Sequence, residues 1–250
     1  MPDEHATPAA DIQDAVISRY SALARTTLAG GTPFDCDPGV FTDGGFGAEA
    51  YAGTPDAPQA ALHASLGCGN PVAVADLQPG DTVLDLGSGG GLDVLLSAQR
   101  VGPAGIAYGL DASPDMLTLA RTNAAQAGVA NARFLHGHIE DIPLPDAHVD
   151  VVISNCVINL SASKAQVLAE AFRVLRPGGR LGVSDIIAED GIDPRQRAEA
   201  EQLIGCTSGT LTQTQYGDLL AAAGFTSISI TATSDAGGGL HSAIIRASKA

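Results

Sequence analysis

The stretch that decides the fold is Val83-Leu84-Asp85-Leu86-Gly87-Ser88-Gly89-Gly90-Gly91, an apolar run that ends in glycines just before a helical pattern. A strand that passes through glycines into a helix is the βα turn at which nucleotide-like cofactors bind. Glycines are needed there because a side chain would hold the ligand away from the backbone and forbid the dihedral angles of the turn. We therefore expect a cofactor to lie across this turn.

The spacing of the glycines indicates which cofactor. A dinucleotide fingerprint requires glycine at position 92, where this chain has Leu92. The pattern from Asp85 to Gly91 is instead D-x-G-x-G-x-G, which resembles motif I of class I S-adenosylmethionine-dependent methyltransferases. The resemblance implies that the acidic residue faces the ammonium group of the cofactor's methionine part. A negative charge suits this cationic cofactor and would repel a pyrophosphate.

Two further elements extend the predicted cofactor site. Asp111 ends the second predicted strand, where a carboxylate can accept hydrogen bonds from both ribose hydroxyls; the alternative is a helix-capping aspartate. The segment 137–143 follows the third strand, where the resemblance puts the adenine, and Ile139 and Glu140 are the candidates for that contact. The candidate cofactor-binding residues are Asp85, Gly87, Ser88, Gly89, Gly91, Asp111, Ala112, Ile139, Glu140 and Asn155.

Short apolar runs alternate with helical patterns on both sides of the glycine turn, which is typical of βαβ units. We predict strands near 82–86, 105–110, 132–136, 148–154, 179–187, 225–232 and 240–247. We predict helices near 92–101, 114–127, 162–175, 195–205 and 213–223. The last two strands should form an antiparallel edge hairpin. The predicted class is α/β, a Rossmann-like seven-stranded class I methyltransferase fold with a mostly parallel sheet.

The N-terminal segment is predicted to be separate from this domain. A helix is expected behind Asp11 as its cap, with an apolar face made by Ile12, Val16, Tyr20 and Leu23 and a simple packing role. Residues 29–60 are rich in Gly, Pro and Asp and are expected to form a long loop or lid. We therefore predict a helix and flexible lid over 1–60 and a methyltransferase domain over 61–250.

The composition excludes several functions. Thirteen Lys and Arg against 28 Asp and Glu give a net charge of −15, so nucleic acid or an anionic membrane surface would be repelled. No apolar run approaches the roughly 20 residues of a membrane span, and the sequence begins without the basic and apolar regions of a signal peptide. We expect a cytoplasmic protein with a small-molecule substrate.

The four cysteines are the candidate acceptor residues, and they are too sparse for a disulfide scaffold. Cys156 follows the fourth strand, at the end of the sheet where ligands gather. Cys206 falls between the fifth and sixth strands, Cys68 is flanked by glycines, and Cys36 lies in the long loop. Inert packing as small apolar side chains is the alternative for Cys156 and Cys206. A zinc site would want closer local spacing.

The cysteine segments resemble those of arsenite methyltransferases. The resemblance covers roughly residues 60–210 and is carried by 65–71, 83–93, 153–160 and 182–186, of which Ser154-Asn155-Cys156-Val157-Ile158-Asn159-Leu160 is the family-specific part. It implies that thiolates of Cys68, Cys156 and Cys206 bind trivalent arsenic, with Cys36 as a fourth, less firmly matched cysteine. We expect only the catalytic core of the family here, without the extra C-terminal domain of longer members.

Soft thiolates suit trivalent arsenic better than water or carboxylate does. With sulfurs in three directions, the arsenic lone pair points along the fourth and can attack the methyl group without a general base. The resemblance implies arsenite or methylarsonous acid as substrate, a role in arsenic detoxification, and an external thiol reductant such as thioredoxin or glutathione. Cys36 is a candidate for a transient disulfide in the reduction step; the alternative is an exposed cysteine with no role. The alternatives are a small-molecule C- or O-methyltransferase and a non-catalytic thiol metalloid-binding protein.

Overall fold

The computed structural model describes residues 9–31, 69–204 and 209–250. Cys36, Cys68 and Cys206, most of the predicted loop 29–60 and the predicted domain boundary near residue 60 lie outside these residues. Among the described helices, none combines the length and apolar character that a membrane span requires.

The described strands form one seven-stranded sheet in the order β3-β2-β1-β4-β5-β7-β6. The strands are β1 Thr82–Leu86, β2 Ile106–Asp111, β3 Ala132–His136, β4 Val149–Asn155, β5 Leu175–Ala188, β6 Thr226–Gly237 and β7 Leu240–Ser248. The first five pair in parallel, and β7 pairs antiparallel with both β5 and β6. The predicted fold class and the antiparallel edge hairpin are confirmed.

Helices cover both faces of the sheet. They are α1 Ala9–Leu28, α2 Pro71–Val74, α3 Leu92–Val101, α4 Pro114–Gln126, α5 Lys164–Val174, α6 Pro194–Ile204 and α7 Gln213–Ala223. Because successive strand residues point to opposite faces, Val83 and Val151 pack into the apolar cluster on the α3 side, while Leu84 and Val152 pack into the larger cluster with α5 and α7. Both faces of the central strands are therefore buried.

Local sequence signals fix most helix ends. Ser113 caps α4 by accepting a hydrogen bond from the Met116 N–H at 3.2 Å, with Pro114 at the first helical position as predicted. Thr212 and Gln215 form a capping box at the start of α7. Asp11 is not a cap, because α1 begins at Ala9 and Asp11 lies inside the helix.

Strand β5 begins earlier than the sequence suggests. Its first residue is Leu175, whereas the pattern predicts a strand from 179, after a stop at Pro177-Gly178-Gly179. The register with β4 shifts between Val149 and Val151, and this irregularity absorbs the extra residues. Gly178 donates a backbone hydrogen bond to Lys249, and Lys249 donates one to Gly179, so the glycine segment is held by the end of the chain.

Candidate active site

A cavity opens at the carboxyl ends of β1, β2 and β4, which is where ligands bind in parallel α/β sheets. The empty space within it is about 700 Å³, a volume that includes open solvent at its mouth. Its lining residues come from α1, the glycine turn, the end of β2, the segment after β3 and the turn after β4. They are Gln13, Val16, Ile17, Tyr20, Gly87, Gly89, Asp111, Ala112, Ser113, Gly137, His138, Ile139, Glu140, Val157, Leu160 and Ser161.

The glycine turn has the backbone conformation that its sequence predicts. Gly87, Gly89 and Gly91 have φ values of +69°, +50° and +86°, in the region that favours glycine. A Cβ at Gly91 would lie 3.1 Å from Phe134 and Ala120, so glycine allows α3 to pack closely there. A Cβ at Gly89 would meet no protein atom within 4 Å, although Gly89 lines the cavity. The space above Gly89 is therefore open toward the cavity.

Asp111 fixes the shape of this turn. Its Oδ2 accepts a hydrogen bond from the Gly89 N–H and its Oδ1 accepts one from the Ser113 N–H, both at 2.8 Å. Burial raises the pKa of the Asp111 carboxyl, and these two hydrogen bonds oppose the rise. Because Ser113 caps α4, Asp111 is not the helix cap, and its carboxylate faces the cavity.

Asp85 lies beneath the cavity rather than in its lining. It is only 3% exposed, and burial, followed by the charges of Asp93 and Asp111, raises its pKa well above the usual value. Because the charges of Asp93 and Asp111 raise the cost of ionising Asp85, a cation beside these carboxyls would be favoured. This arrangement fits an ammonium or sulfonium group and disfavours a phosphate.

The structure brings together six of the ten candidate cofactor residues in the cavity lining, namely Gly87, Gly89, Asp111, Ala112, Ile139 and Glu140. Asp85, Ser88, Gly91 and Asn155 are not among the lining residues. The Oε1 of Glu140 accepts hydrogen bonds from Gln13 at 3.0 Å and from Ser161 at 2.5 Å. Glu140 therefore joins α1 to the segment after Cys156.

Helix α1 forms one wall of the cavity, a role that the sequence analysis missed. Gln13, Val16, Ile17 and Tyr20 recur at helical spacing and lie on the face toward the cavity. The helix is attached to α4 by packing of Leu23 and by a hydrogen bond between the hydroxyls of Ser21 and Ser113 at 2.7 Å. The periodicity was visible in the sequence, but only the tertiary contact distinguishes a wall from packing.

Cys156 follows the last residue of β4 and is not itself among the residues that line the cavity. It has φ +55°, and its N–H donates to the Ser184 carbonyl at 2.8 Å. A non-glycine residue in this region costs roughly 1 kcal/mol, and Asp76, Ala147 and Ser227 share this conformation. Cys156 is disulfide-bonded and packs against the apolar cluster that contains Ile186 and Ala200 of α6. The next residue, Val157, lines the cavity.

The chain after Cys156 is held by a buried polar network. Asn159 donates to the Asp185 carboxylate at 2.9 Å and to the Ile186 carbonyl, and neither Asn159 nor Asp185 is exposed. Burial raises the pKa of Asp185 to about 7, against hydrogen bonds from Ile186 and Asn159 that lower it. Burial and then the charge of Asp185 raise the pKa of the Tyr216 hydroxyl. The sequence pattern alone indicates no role for Asp185 or Asn159 beyond their motifs.

We predict that Asp185→Asn removes a pH-dependent part of the stability. The native carboxyl has a pKa of about 7 against a reference value of 3.8, so the native state binds more protons between these values. The free energy of unfolding should therefore fall by a few kcal/mol as the pH rises from about 4 to about 7. The isosteric amide cannot ionise and should flatten this slope, and urea unfolding at several pH values measures it. Identical slopes of stability against pH for the two proteins would contradict the prediction. Some slope should remain in the variant, because the pKa values of Asp85 and Asp111 are also raised.

Among the described residues, no three His, Cys, Asp or Glu side chains are grouped as metal ligands. Three of the four cysteines lie outside those residues. Of the predicted sulfur ligands, Cys156 is therefore the one that lies within the described residues.

Comparison with known proteins agrees with this geometry. A sequence profile of the methyltransferase domain matches residues 77–224. The arsenite methyltransferase of Halobacterium salinarum is 44% identical over 165 residues, which cover 66% of this chain and 42% of that protein. The arsenite methyltransferase of Aquipseudomonas alcaligenes is 42% identical over 168 residues, covering 64% and 48% of the two chains. The chain thus spans less than half the length of these two relatives.

The fold comparison extends the same relationship. The crystal structure of the arsenic(III) S-adenosylmethionine methyltransferase from Chlamydomonas reinhardtii superposes with a TM-score of 0.65 and 32% identity. The match covers 80% of this chain and 72% of that one. The chain belongs to the arsenite methyltransferase family within the S-adenosylmethionine-dependent methyltransferases.

Proposed function

We propose that this protein is an S-adenosylmethionine-dependent arsenite methyltransferase that serves arsenic detoxification. The observation that carries the proposal is Cys156, held in a left-handed conformation between Asn155 at the end of β4 and Val157 in the cavity lining. A thiol at that point can hold an acceptor beside the cofactor cavity. Its sequence context is the family-specific segment 154–160.

The cofactor residues act by binding and orienting. Asp111 receives the ribose hydroxyls, the methionine ammonium group lies near Asp85 and favours its ionised form, and Ile139 with Glu140 contacts the adenine. Open space above Gly89 and the cluster of carboxyls support this assignment. Bound S-adenosylmethionine supplies an electrophilic methyl group.

The thiolates of Cys68, Cys156 and Cys206 are the proposed arsenic ligands, with Cys36 as an additional one. The reaction needs positioning rather than a general base, because the arsenic bears no proton. Arsenic donates its lone pair to the methyl carbon, S-adenosylhomocysteine departs with the electron pair of the broken carbon–sulfur bond, and arsenic is formally oxidised by two electrons. We propose that arsenite and methylarsonous acid are both accepted.

An external thiol, thioredoxin or glutathione, is proposed to supply two reducing equivalents. The disulfide at Cys156 supports this, because a sulfur bonded to sulfur is not a thiolate ligand and must first be reduced. The formally pentavalent arsenic formed by each methylation also requires two electrons before a further lone-pair attack.

The experiment is arsenic speciation by chromatography with elemental detection. Purified protein is incubated with arsenite, S-adenosylmethionine and a thiol, and a parallel sample contains methylarsonous acid. The proposal expects methylated arsenic that depends on both cofactor and thiol, with one S-adenosylhomocysteine formed per methyl transferred. If both arsenicals stay unchanged while the protein binds S-adenosylmethionine, the acceptor assignment is wrong and an organic acceptor must be sought.

A further inference from the structure

Two asparagines flank Cys156, and each bonds to a different distant segment. The first, Asn155, is the last residue of β4, and its Nδ2 donates to the Gly69 carbonyl at 2.8 Å. Gly69 directly follows Cys68 in the chain. A Cβ at Gly69 would lie 1.8 Å from the Ser184 Oγ, so this backbone is packed against β5 at the level where Asn155 pairs with Ser184.

The second, Asn159, lies in the 3₁₀ turn Ile158–Leu160. Its Oδ1 accepts a hydrogen bond from the Leu211 N–H at 3.3 Å, while its Nδ2 donates to the Asp185 carboxylate and the Ile186 carbonyl. Leu211 is further fixed by the Ala188 N–H, which donates to its carbonyl at 3.0 Å. Leu211 is five positions after Cys206 in the chain, 211 minus 206.

The burial of these groups makes the contacts specific. Asn159 is fully buried and uses both its amide nitrogen and its carbonyl oxygen. A buried amide has few alternative partners, so its hydrogen bonds define one geometry for the segments that they join. Asn155 and Asn159 thus relate the backbone around Cys156 to the residue after Cys68 on one side and to the segment after Cys206 on the other.

We propose that Asn155 and Asn159 are positioning residues, which fix the chain on either side of Cys156 to Gly69, the residue after Cys68, and to Leu211, five positions after Cys206. This inference rests on the proposed function for its purpose, the assembly of three arsenic ligands. The two side-chain links themselves, from Asn155 to Gly69 and from Asn159 to Leu211, can be tested without arsenic.

The test measures bridging of two thiols by dibromobimane, which becomes fluorescent when both of its bromides are displaced. One background, Cys36→Ser with Cys68→Ser, leaves the pair Cys156 and Cys206. A second, Cys36→Ser with Cys206→Ser, leaves the pair Cys68 and Cys156. Asn155→Leu and Asn159→Leu are introduced separately into each full-length background, and the proteins are reduced and desalted before the reagent is added.

The expected result is a crossover. Asn159→Leu should slow bridging of Cys156 with Cys206 by about tenfold and leave Cys68 with Cys156 within about twofold, because the lost hydrogen bonds lower the local concentration of one thiol pair only. Asn155→Leu should slow bridging of Cys68 with Cys156 by about tenfold and leave bridging of Cys156 with Cys206 within about twofold. If Asn159→Leu does not fold, Asn159→Ser replaces it, because a serine side chain is too short to reach Leu211.

The matched control is Asn131→Leu. Asn131 donates hydrogen bonds to the carbonyls of Ala98, Gly102 and Gly105 at the opposite end of the sheet, so its loss should lower thermal stability without slowing either bridging reaction. The proposal is overturned if Asn131→Leu slows bridging as much, if each asparagine variant slows both pairs equally, or if neither slows any. Arsenite binding is measured separately on the unmodified protein. A crossover without arsenite binding rejects the proposed function. Arsenite binding without a crossover rejects the positioning role of the two asparagines.

Discussion

Cys156→Ser should lower the rate of arsenite methylation by about 100-fold or more while leaving S-adenosylmethionine affinity within about twofold, because misplacing a reactant costs that much in well-positioned reactions. Serine has nearly the size of cysteine, but its hydroxyl oxygen is a hard ligand that binds trivalent arsenic poorly. The backbone at φ +55° and its hydrogen bond to Ser184 remain available to the variant. Arsenic speciation measures the rate, and calorimetry measures the cofactor affinity.

Retained turnover in the serine variant would contradict the arsenic-ligand role of Cys156. An enzyme that methylates carbon or oxygen needs no soft sulfur ligand at this point, so it should tolerate the exchange. A variant that binds neither arsenite nor cofactor reports a damaged fold, and far-ultraviolet circular dichroism identifies that case. The informative outcome is loss of arsenic chemistry in a protein that still binds the cofactor.

The fold was predictable from sequence because its signals are local. Strand β1 and the glycine turn follow one another within ten residues, 82–91, so a single short stretch of sequence predicts both. The capping of α4 by Ser113 is equally local. The start of β5 was missed because it depends on pairing with β4 across a register shift and on contacts with Lys249, neither of which appears in the sequence of β5 itself.

In the candidate site too, local features could be predicted from the sequence and long-range contacts could not. The interpretation of Asp111 as a ligand-facing carboxylate followed from its place at a strand end, and the structure adds its hydrogen bonds to Gly89 and Ser113. The wall made by α1 and the links made by Asn155 and Asn159 join residues far apart in sequence, such as Asn155 and Gly69, separated by 86 positions. A single sequence contains no distance information of that kind.

Asp111→Ala should weaken S-adenosylmethionine binding by roughly 100-fold, as expected for the loss of about 3 kcal/mol from two hydrogen bonds to a charged acceptor. The carboxylate has two roles in this expectation. It accepts the ribose hydroxyls, and it holds the Gly89 N–H at 2.8 Å, which sets the shape of the glycine turn. Calorimetric titration with S-adenosylmethionine or S-adenosylhomocysteine measures the effect directly.

Asp150→Ala is the matched control for this prediction. Asp150 also accepts a backbone hydrogen bond, from the Thr82 N–H at 2.8 Å, and pairs with Arg176, but it lies at the opposite end of β1 and β4 from the cavity. Both variants remove one carboxylate that stabilises a backbone segment, so general destabilisation should affect both. Only Asp111→Ala should change cofactor affinity, since only Asp111 lines the cavity. Equal loss of affinity in the two variants would mean that Asp111 acts through the stability of the sheet rather than at the ribose.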